Sequence, residues 1–223
     1  MDFPEWKDSL TDEQKSAINK YVDNSDKHGI IKSSKKVRAT EIEEKRSTIR
    51  TGSSLWSKEQ LDELIRTENE IIKNPYETAV VYSKNGNMIF YKVGSSEKVT
   101  FTKKEIKKMK NGVLTHNHPD NSMLSINDFH ILKIGKFSEI RALTTDCVYM
   151  FRNVEPNLFK DIEYKELLSR FYEIDEEISK KYLEIAAQNG RTILHYDAEI
   201  YERTVEKLCE EFRVELSKEY RND

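Results

Sequence analysis

The segment 115–129, THNHPDNSMLSINDF, places the strongest constraint on what this chain can fold into. His116 and His118 are separated by one residue, and alternate residues of an extended strand point to the same side. A strand that ends at these histidines can therefore present both imidazoles to one metal ion. Asp128 follows closely and can supply a third, anionic ligand. Two histidines and one carboxylate around a tetrahedral Zn²⁺ leave one coordination position for water, as in catalytic zinc sites.

The pattern S-x-x-D formed by Ser125 and Asp128 has a second interpretation that needs no metal. A serine followed three residues later by an acidic residue is a capping box, which opens a helix by itself. The two roles are compatible, because an aspartate in the first helical turn can point toward the end of the preceding strand. The chain has only five histidines, so a chance H-x-H-P directly before such a cap is rare, and we prefer the metal interpretation.

The order H-x-H-P and then S-x-x-D resembles the signature of the JAMM zinc metalloproteases, also called MPN+ or JAB, over about Tyr76–Phe151. The resemblance implies a JAMM or cytidine-deaminase-like fold, a Zn²⁺ cofactor, and hydrolysis of peptide or isopeptide bonds, often those that join ubiquitin-like proteins to their targets. The family also has a glutamate near the start of its first strand. Glu77, in NPYETAVVYSKNG, stands in the matching place. The loop PDNSML after His118 is one residue shorter than is usual in the family.

The resemblance implies a role for each matched residue. His116, His118 and Asp128 would hold the zinc ion, and Glu77 would take a proton from the attacking water and pass it to the leaving amine. Ser125 would donate a hydrogen bond to the developing oxyanion. Without the family, Glu77 is equally well interpreted as a polar residue at a helix-to-strand junction.

Two classes of function follow. The first is a zinc-dependent metalloprotease or isopeptidase that acts on a protein or peptide substrate, ubiquitin-like proteins included. The second is a phage-type or defence-related binding or structural module that keeps the metal-binding fold without turnover, since similar motifs occur in phage head-morphogenesis and toxin-associated domains. Glu77 discriminates between them, because only an enzyme needs a carboxylate beside the water.

Composition excludes several other classes. The 37 basic and 40 acidic residues are well mixed and give a net charge of −3, so there is no basic patch that predicts nucleic-acid binding. No apolar run has membrane-spanning length and no signal segment opens the chain, so we expect a cytoplasmic protein that does not bind membranes. Cys147 and Cys209 lie far apart in different predicted segments, so we expect them to remain unpaired thiols.

The chain divides into three predicted regions: an N-terminal arm of residues 1–56, a metal-binding domain of residues 57–153, and a C-terminal region of residues 154–223. In the arm, a capping box at Thr11 predicts a short helix, which an irregular linker follows. In the domain, capping boxes at Ser57, Thr102 and Ser125 predict helices, and Asn-Gly between TAVVYS and MIFYKV predicts a β-hairpin. With strands at VLTHNH, EIRALTT and CVYMFR, the order becomes β-β-α-β-α-β-β after the first helix. This order predicts an α/β (α+β) fold, a small mixed sheet with flanking helices.

The C-terminal region is predicted to be a helical hairpin. An apolar stripe at helical spacing runs from Leu158 to Ile185, Asn189-Gly190 interrupts it, and a second helix is expected over 193–216. Because such a stripe must be buried on something, we expect it to mediate homo-oligomerisation or the docking of a partner.

Overall fold

A six-stranded mixed sheet with helices on both faces organises the computed structural model, which describes residues 50–51, 54–96, 98–153 and 162–221. The helix expected at Thr11 lies outside these residues. The elements are, in chain order, β1 Arg50–Thr51, β2 Ser54–Leu55, α1 Lys58–Ile71, β3 Thr78–Tyr82, β4 Met88–Val93, α2 Lys103–Ile106, β5 Val113–Asn117, α3 Ile126–Gly135, β6 Glu139–Leu143, β7 Cys147–Asn153, α4 Tyr164–Gln188, a 3-10 helix Ile193–Tyr196, α5 Asp197–Phe212 and β8 Val214–Tyr220.

The local signals in the sequence place most of these elements correctly. Helices α1, α2 and α3 each begin at a complete capping box, with Ser57, Thr102 and Ser125 as the N-cap residues. Gly86 has a φ of 76°, which a residue without a Cβ adopts at no steric cost, and it turns the chain between β3 and β4. The predicted order β-β-α-β-α-β-β is confirmed from β3 to β7.

The strand order in the main sheet is β4-β3-β5-β6-β7-β8. Strands β5 and β6 are parallel, with α3 as their connection, and every other neighbouring pair is antiparallel. Every residue of β3, β5 and β6 is buried, because helices cover both faces of the sheet. The fold class is therefore mixed α/β, and β5 lies near the centre of the sheet.

The C-terminal region differs from its prediction. The second helix of the hairpin ends at Phe212, Arg213 adopts a left-handed conformation with a φ of 52°, and β8 then pairs along the whole of β7. The sheet thus has one strand more than predicted, and the C-terminal region supplies that strand. Contacts group Arg46–Asp223 into one compact unit.

The apolar stripe of the hairpin is buried within the chain itself. Leu167, Phe171, Ile174 and Ile178 of α4 belong to the same hydrophobic core as Phe129 of α3. These four positions are therefore covered within the chain, and the role of the region in homo-oligomerisation or partner docking stays a prediction. Within the described residues, no helix is both long and apolar enough to span a membrane.

On its other face the sheet packs against α1. Leu64 and Ile71 of α1 contact a second core that includes Val80 and Tyr82. Trp56, predicted to end the N-terminal arm, joins this core: it is 6% exposed and its ring centroid lies 5.5 Å from that of Tyr82.

A buried network of charges also connects α1 to the sheet. Arg141 of β6 donates to Glu68 of α1 at 2.6 Å and to Glu139 at 2.7 Å, and Glu139 accepts from Arg152 of β7 at 2.6 Å. Thr115 of β5 donates to Glu68 at 2.9 Å. The charges on this face are therefore paired, as buried charges must be.

Candidate metal centre

The two histidines lie at the end of β5, as predicted. His116 is the fourth residue of the strand, and the N–H of His118 continues the ladder by donating to the carbonyl of Leu143 at 2.9 Å. Both rings point to the same side of the sheet, and their Nε2 atoms lie 2.8 Å apart. The side chains are 3% and 10% exposed, so both nitrogens meet in a nearly water-free position.

Asp128 approaches the histidines from the first turn of α3. Its Oδ1 lies 3.1 Å from Nε2 of His116, and its Oδ2 lies 3.8 Å from Nε2 of His118. The cap of α3 fixes this carboxylate, because Oδ2 accepts from the backbone N–H of Ser125 at 2.6 Å and from its hydroxyl at 2.7 Å. The end of β5 and the start of α3 thus bring the three predicted ligands together.

The spacing of these atoms fits a small tetrahedral cation. Zinc bonds to nitrogen and oxygen of about 2.0–2.1 Å place two ligand atoms about 3.3 Å apart in a tetrahedron. Nε2 of His118 and Oδ1 of Asp128 lie 2.8 and 3.1 Å from Nε2 of His116, each within about half an ångström of that value. The 3.8 Å separation from Nε2 of His118 ends on the other carboxylate oxygen, Oδ2. His116, His118 and Asp128 therefore form a group that could bind a metal ion.

The loop after β5 orients His118. The ring's Nδ1–H donates to the carbonyl of Ser122 at 2.9 Å, which leaves Nε2 with a lone pair that faces His116 and Asp128. The hydroxyl of Ser122 in turn donates to Asp120 at 2.8 Å. Nδ1 of His116 is buried, and the backbone of Arg141 on the neighbouring strand β6 helps to raise the pKa of this ring.

His116, His118 and Asp128 shift one another's pKa values. Burial disfavours the charged forms, but attraction between His116 and Asp128 outweighs it, so the pKa of His116 is raised and that of Asp128 falls well below its ordinary value. The pKa of His118 is lowered by burial and by the charge of His116. Only one of the two rings is therefore readily protonated. A divalent cation would satisfy the carboxylate and both rings at once.

Glu77 lies directly before β3, on the side of the sheet that carries the histidines. Ala79 pairs with His116, so continuation of this antiparallel register brings Glu77 opposite His118. Its carboxylate accepts from the N–H of Val99 at 3.3 Å. Burial raises its pKa, which attraction to His116 lowers and repulsion from Asp128 raises further. Glu77 is not part of the group of three. The charges of His116 and Asp128 shift its pKa, so Glu77 lies beside that group.

The hydroxyl of Ser125 has a structural role at the helix start. It donates to Asp128 and accepts from the N–H of the same residue at 3.2 Å, which completes the capping box. His130 packs against Tyr164 with ring centroids 4.3 Å apart and ring planes tilted by 45°, and it is not part of the group of three. The five predicted site residues therefore converge on one end of the sheet, and His130 does not join them.

Sequence reasoning missed two supporting residues, Asn117 and Ser122. Asn117 occupies the variable position of H-x-H, and Ser122 lies in a loop where many residues are acceptable. Their roles depend on the segments they reach in space, so no local signal could have identified them.

No protein-family model, curated protein or solved structure matches this chain. The likeness to JAMM metalloproteases therefore rests on the residues described above.

Proposed function

We propose that this chain is a zinc-dependent metalloprotease or isopeptidase that hydrolyses a peptide or isopeptide bond in a protein substrate. The observation that carries the proposal is the convergence of two imidazole nitrogens and one carboxylate, with a second carboxylate on the same side of the sheet. Three ligands leave a tetrahedral ion one open position, which distinguishes catalytic zinc sites from closed structural ones.

Each residue contributes a separate part of the chemistry. A zinc ion held by His116, His118 and Asp128 would bring the pKa of a water molecule close to neutral and polarise the scissile carbonyl. Glu77 would act as the general base that accepts the water's proton and as the general acid that returns it to the leaving amine. Burial raises the pKa of Glu77, which suits a group that must both take and release a proton near neutral pH.

Ser125 would assist by donating to the oxyanion of the tetrahedral intermediate. Its hydroxyl now donates to Asp128, so this role requires the hydroxyl to rotate while its backbone N–H keeps the 2.6 Å bond to the carboxylate. The backbone bond would hold Asp128 in place during that rotation.

A metal-binding module without turnover is the second candidate. It is favoured by the existing bonds of both catalytic candidates, since Glu77 accepts from Val99 and Ser125 donates to Asp128. In such a module these residues would stabilise the metal-binding fold, and the ion would serve structure or binding. Phage-type and defence-related modules are the examples that the sequence motif brings into consideration.

The first experiment measures the metal. The full-length protein should bind one Zn²⁺ per chain, and His118→Ala should abolish stoichiometric binding. His195→Ala, which changes an exposed histidine of the C-terminal region, is the matched control and should retain the ion. Full zinc content in the His118→Ala variant would exclude the proposed ligand set.

The second experiment separates the enzyme from the module. Zinc-loaded wild type and Glu77→Gln are compared on a labelled unfolded protein and on an isopeptide-linked ubiquitin-like dimer. Hydrolysis should fall by roughly two to four orders of magnitude in Glu77→Gln, because the glutamine keeps the size but not the base. Zinc content should not change. Equal rates in the two proteins would make Glu77 a junction residue, whereas the absence of turnover in wild type would favour the module.

A further inference from the structure

Asn117, the residue between the two histidines, has a buried side chain that reaches the segment leading to Glu77. Its amide nitrogen donates to the carbonyl of Asn74 at 3.0 Å and to that of Tyr76 at 3.3 Å. Its amide oxygen accepts from the N–H of Thr78 at 2.6 Å. Asn117 is 1% exposed, so no water can replace these bonds. One side chain thus holds the backbone immediately before and after Glu77.

The alternation of β5 explains why this residue can serve both sides of the site. His116 points to the face that carries Asp128, and the next side chain must point to the opposite face, where the 74–78 segment leaves α1. The segment is further secured by Asn74, whose amide donates to the hydroxyl of Thr78 at 3.0 Å, and that hydroxyl donates to the carbonyl of Tyr76 at 3.1 Å.

The backbone hydrogen bonds of Glu77 itself go to the segment that follows β4. Its N–H donates to the carbonyl of Ser95 and its carbonyl accepts from Gly94, both at 2.8 Å. These bonds tie it to the chain just after β4, at the edge of the sheet. Asn117 supplies the only direct side-chain link among the described hydrogen bonds between the metal-bearing strand and the backbone on either side of Glu77.

Only an asparagine can make this set of contacts at this position. The amide has two N–H donors and one oxygen acceptor, and here all three functions are used. Aspartate keeps the acceptor for Thr78 but cannot donate to the two carbonyls. Alanine removes all three bonds, and the carbonyl of Tyr76 keeps only the hydroxyl of Thr78 as a donor. A buried group that loses its partner costs far more than an exposed one, so the segment would move to find new bonds.

We propose that Asn117 is a positioning residue that sets the distance of Glu77 from the metal centre, and this proposal rests on the function proposed above. A general base must lie within hydrogen-bond reach of the proton it takes, and a shift of about 1 Å removes much of its effect. The ligands themselves do not depend on the amide, because none of its bonds goes to His116, His118 or Asp128.

The test uses the zinc-loaded protein and acetohydroxamate, a small zinc-binding acid that passes its hydroxyl proton to a neighbouring carboxylate on binding and then shares that proton with it in a hydrogen bond. Calorimetry compares wild type, Glu77→Gln, Asn117→Asp, Asn117→Ala and the double variant Glu77→Gln/Asn117→Asp. Thr115→Val is the matched control, because Thr115 is buried on the same face of β5 and its hydroxyl bonds Glu68, not the 74–78 segment.

In Glu77→Gln the affinity for acetohydroxamate should fall about tenfold, because a charge-assisted hydrogen bond is lost. The Asn117 variants should show the same loss, the double variant should bind no more weakly than Glu77→Gln, and Thr115→Val should bind as wild type. Zinc affinity should stay within about threefold of wild type throughout. Wild-type binding by Asn117→Asp, or losses that multiply in the double variant, would overturn the proposal.

A crystal structure of Asn117→Asp gives a readout that needs no metal. The carboxylate of Glu77 should be displaced by about 1 Å or more from its wild-type position relative to His116. An unmoved Glu77 would refute the positioning role even if the zinc site is real. A moved Glu77 in a protein that binds no zinc would instead refute the proposed function and leave the positioning role standing.

Discussion

Phe171→Ala tests whether the C-terminal hairpin is an integral part of the domain that carries the candidate metal centre. Phe171 is the central aromatic of α4, is 3% exposed, and belongs to the core shared by α3 and the sheet. Its ring centroid lies 5.8 Å from that of Tyr201 on α5, so it also connects the two helices of the hairpin. Truncation to alanine removes the whole ring from a position that is packed on all sides.

The expected loss is about 3–5 kcal/mol in the free energy of unfolding, as for other buried phenylalanines truncated to alanine. A domain of this kind has about 5–15 kcal/mol in total, so the variant would be near the limit of stability. With a slope of about 2–3 kcal/mol per molar urea, the midpoint of urea denaturation should fall by about 1–2 M. Circular dichroism at increasing urea concentrations measures this shift.

Leu183→Ala is the control on the same helix. Leu183 is 52% exposed, and its loss should change the free energy of unfolding by no more than about 0.5 kcal/mol. If Phe171→Ala also cost less than about 1 kcal/mol, the hairpin would not share the core of the domain. Residues 154–223 would then be the separable region that the sequence predicted.

Two further predictions concern charge. Zinc affinity should fall about tenfold per pH unit below the pKa of His116, because that ring's raised pKa makes it the first to compete for a proton, while the lowered pKa of His118 delays a second proton to more acidic pH. Competition with a chromophoric chelator measures zinc affinity as a function of pH. An affinity that falls about a hundredfold per pH unit directly below the pKa of His116 would mean that two protons compete with zinc, and would contradict this prediction. Arg141→Met should cost about 3–5 kcal/mol at pH 7, because it removes the cation between buried Glu68 and Glu139. Arg141 and Arg152 overcome the effect of burial and lower the pKa of Glu139, so the stability that this carboxylate contributes is present above its unfolded pKa and is lost as pH falls. Urea denaturation should therefore show a smaller difference between variant and wild type at pH 4 than at pH 7.

The sequence predicted those parts of the fold that depend on local chemistry. Ser57, Thr102 and Ser125 begin helices because a side-chain oxygen at the N-cap satisfies a free N–H of the first turn wherever the helix lies. The turn at Asn85-Gly86 is determined in the same local way. The convergence of His116, His118 and Asp128 was predictable for a related reason, since a strand's alternation and a helix cap together orient all three.

Other features depend on contacts between distant segments and left no local signal. The pair Arg141 and Glu68 is separated by 73 positions in the chain. The predicted helix over 193–216 included the first three residues of β8, which begins at Val214. Helix α5 ends at Phe212, and Arg213 then adopts the left-handed conformation. Glycine or asparagine usually occupies such a position, so no signal in the sequence marks the end of this helix. Pairing with β7 outweighs helix propensity at this point.

The hairpin and the candidate metal centre are linked through α3, the helix that carries Asp128. The hydroxyl of Tyr164 in α4 donates to the side chain of Asn127 at 2.7 Å, one residue before the ligand. Phe129 directly follows Asp128, and its ring centroid lies 5.8 Å from that of Phe212 at the end of α5. The residues directly before and after Asp128 therefore each contact a different helix of the C-terminal region. Because Asp128 must stay about 3 Å from Nε2 of its histidine partner to share an ion, a change that loosens the hairpin should weaken metal binding even where it touches no ligand.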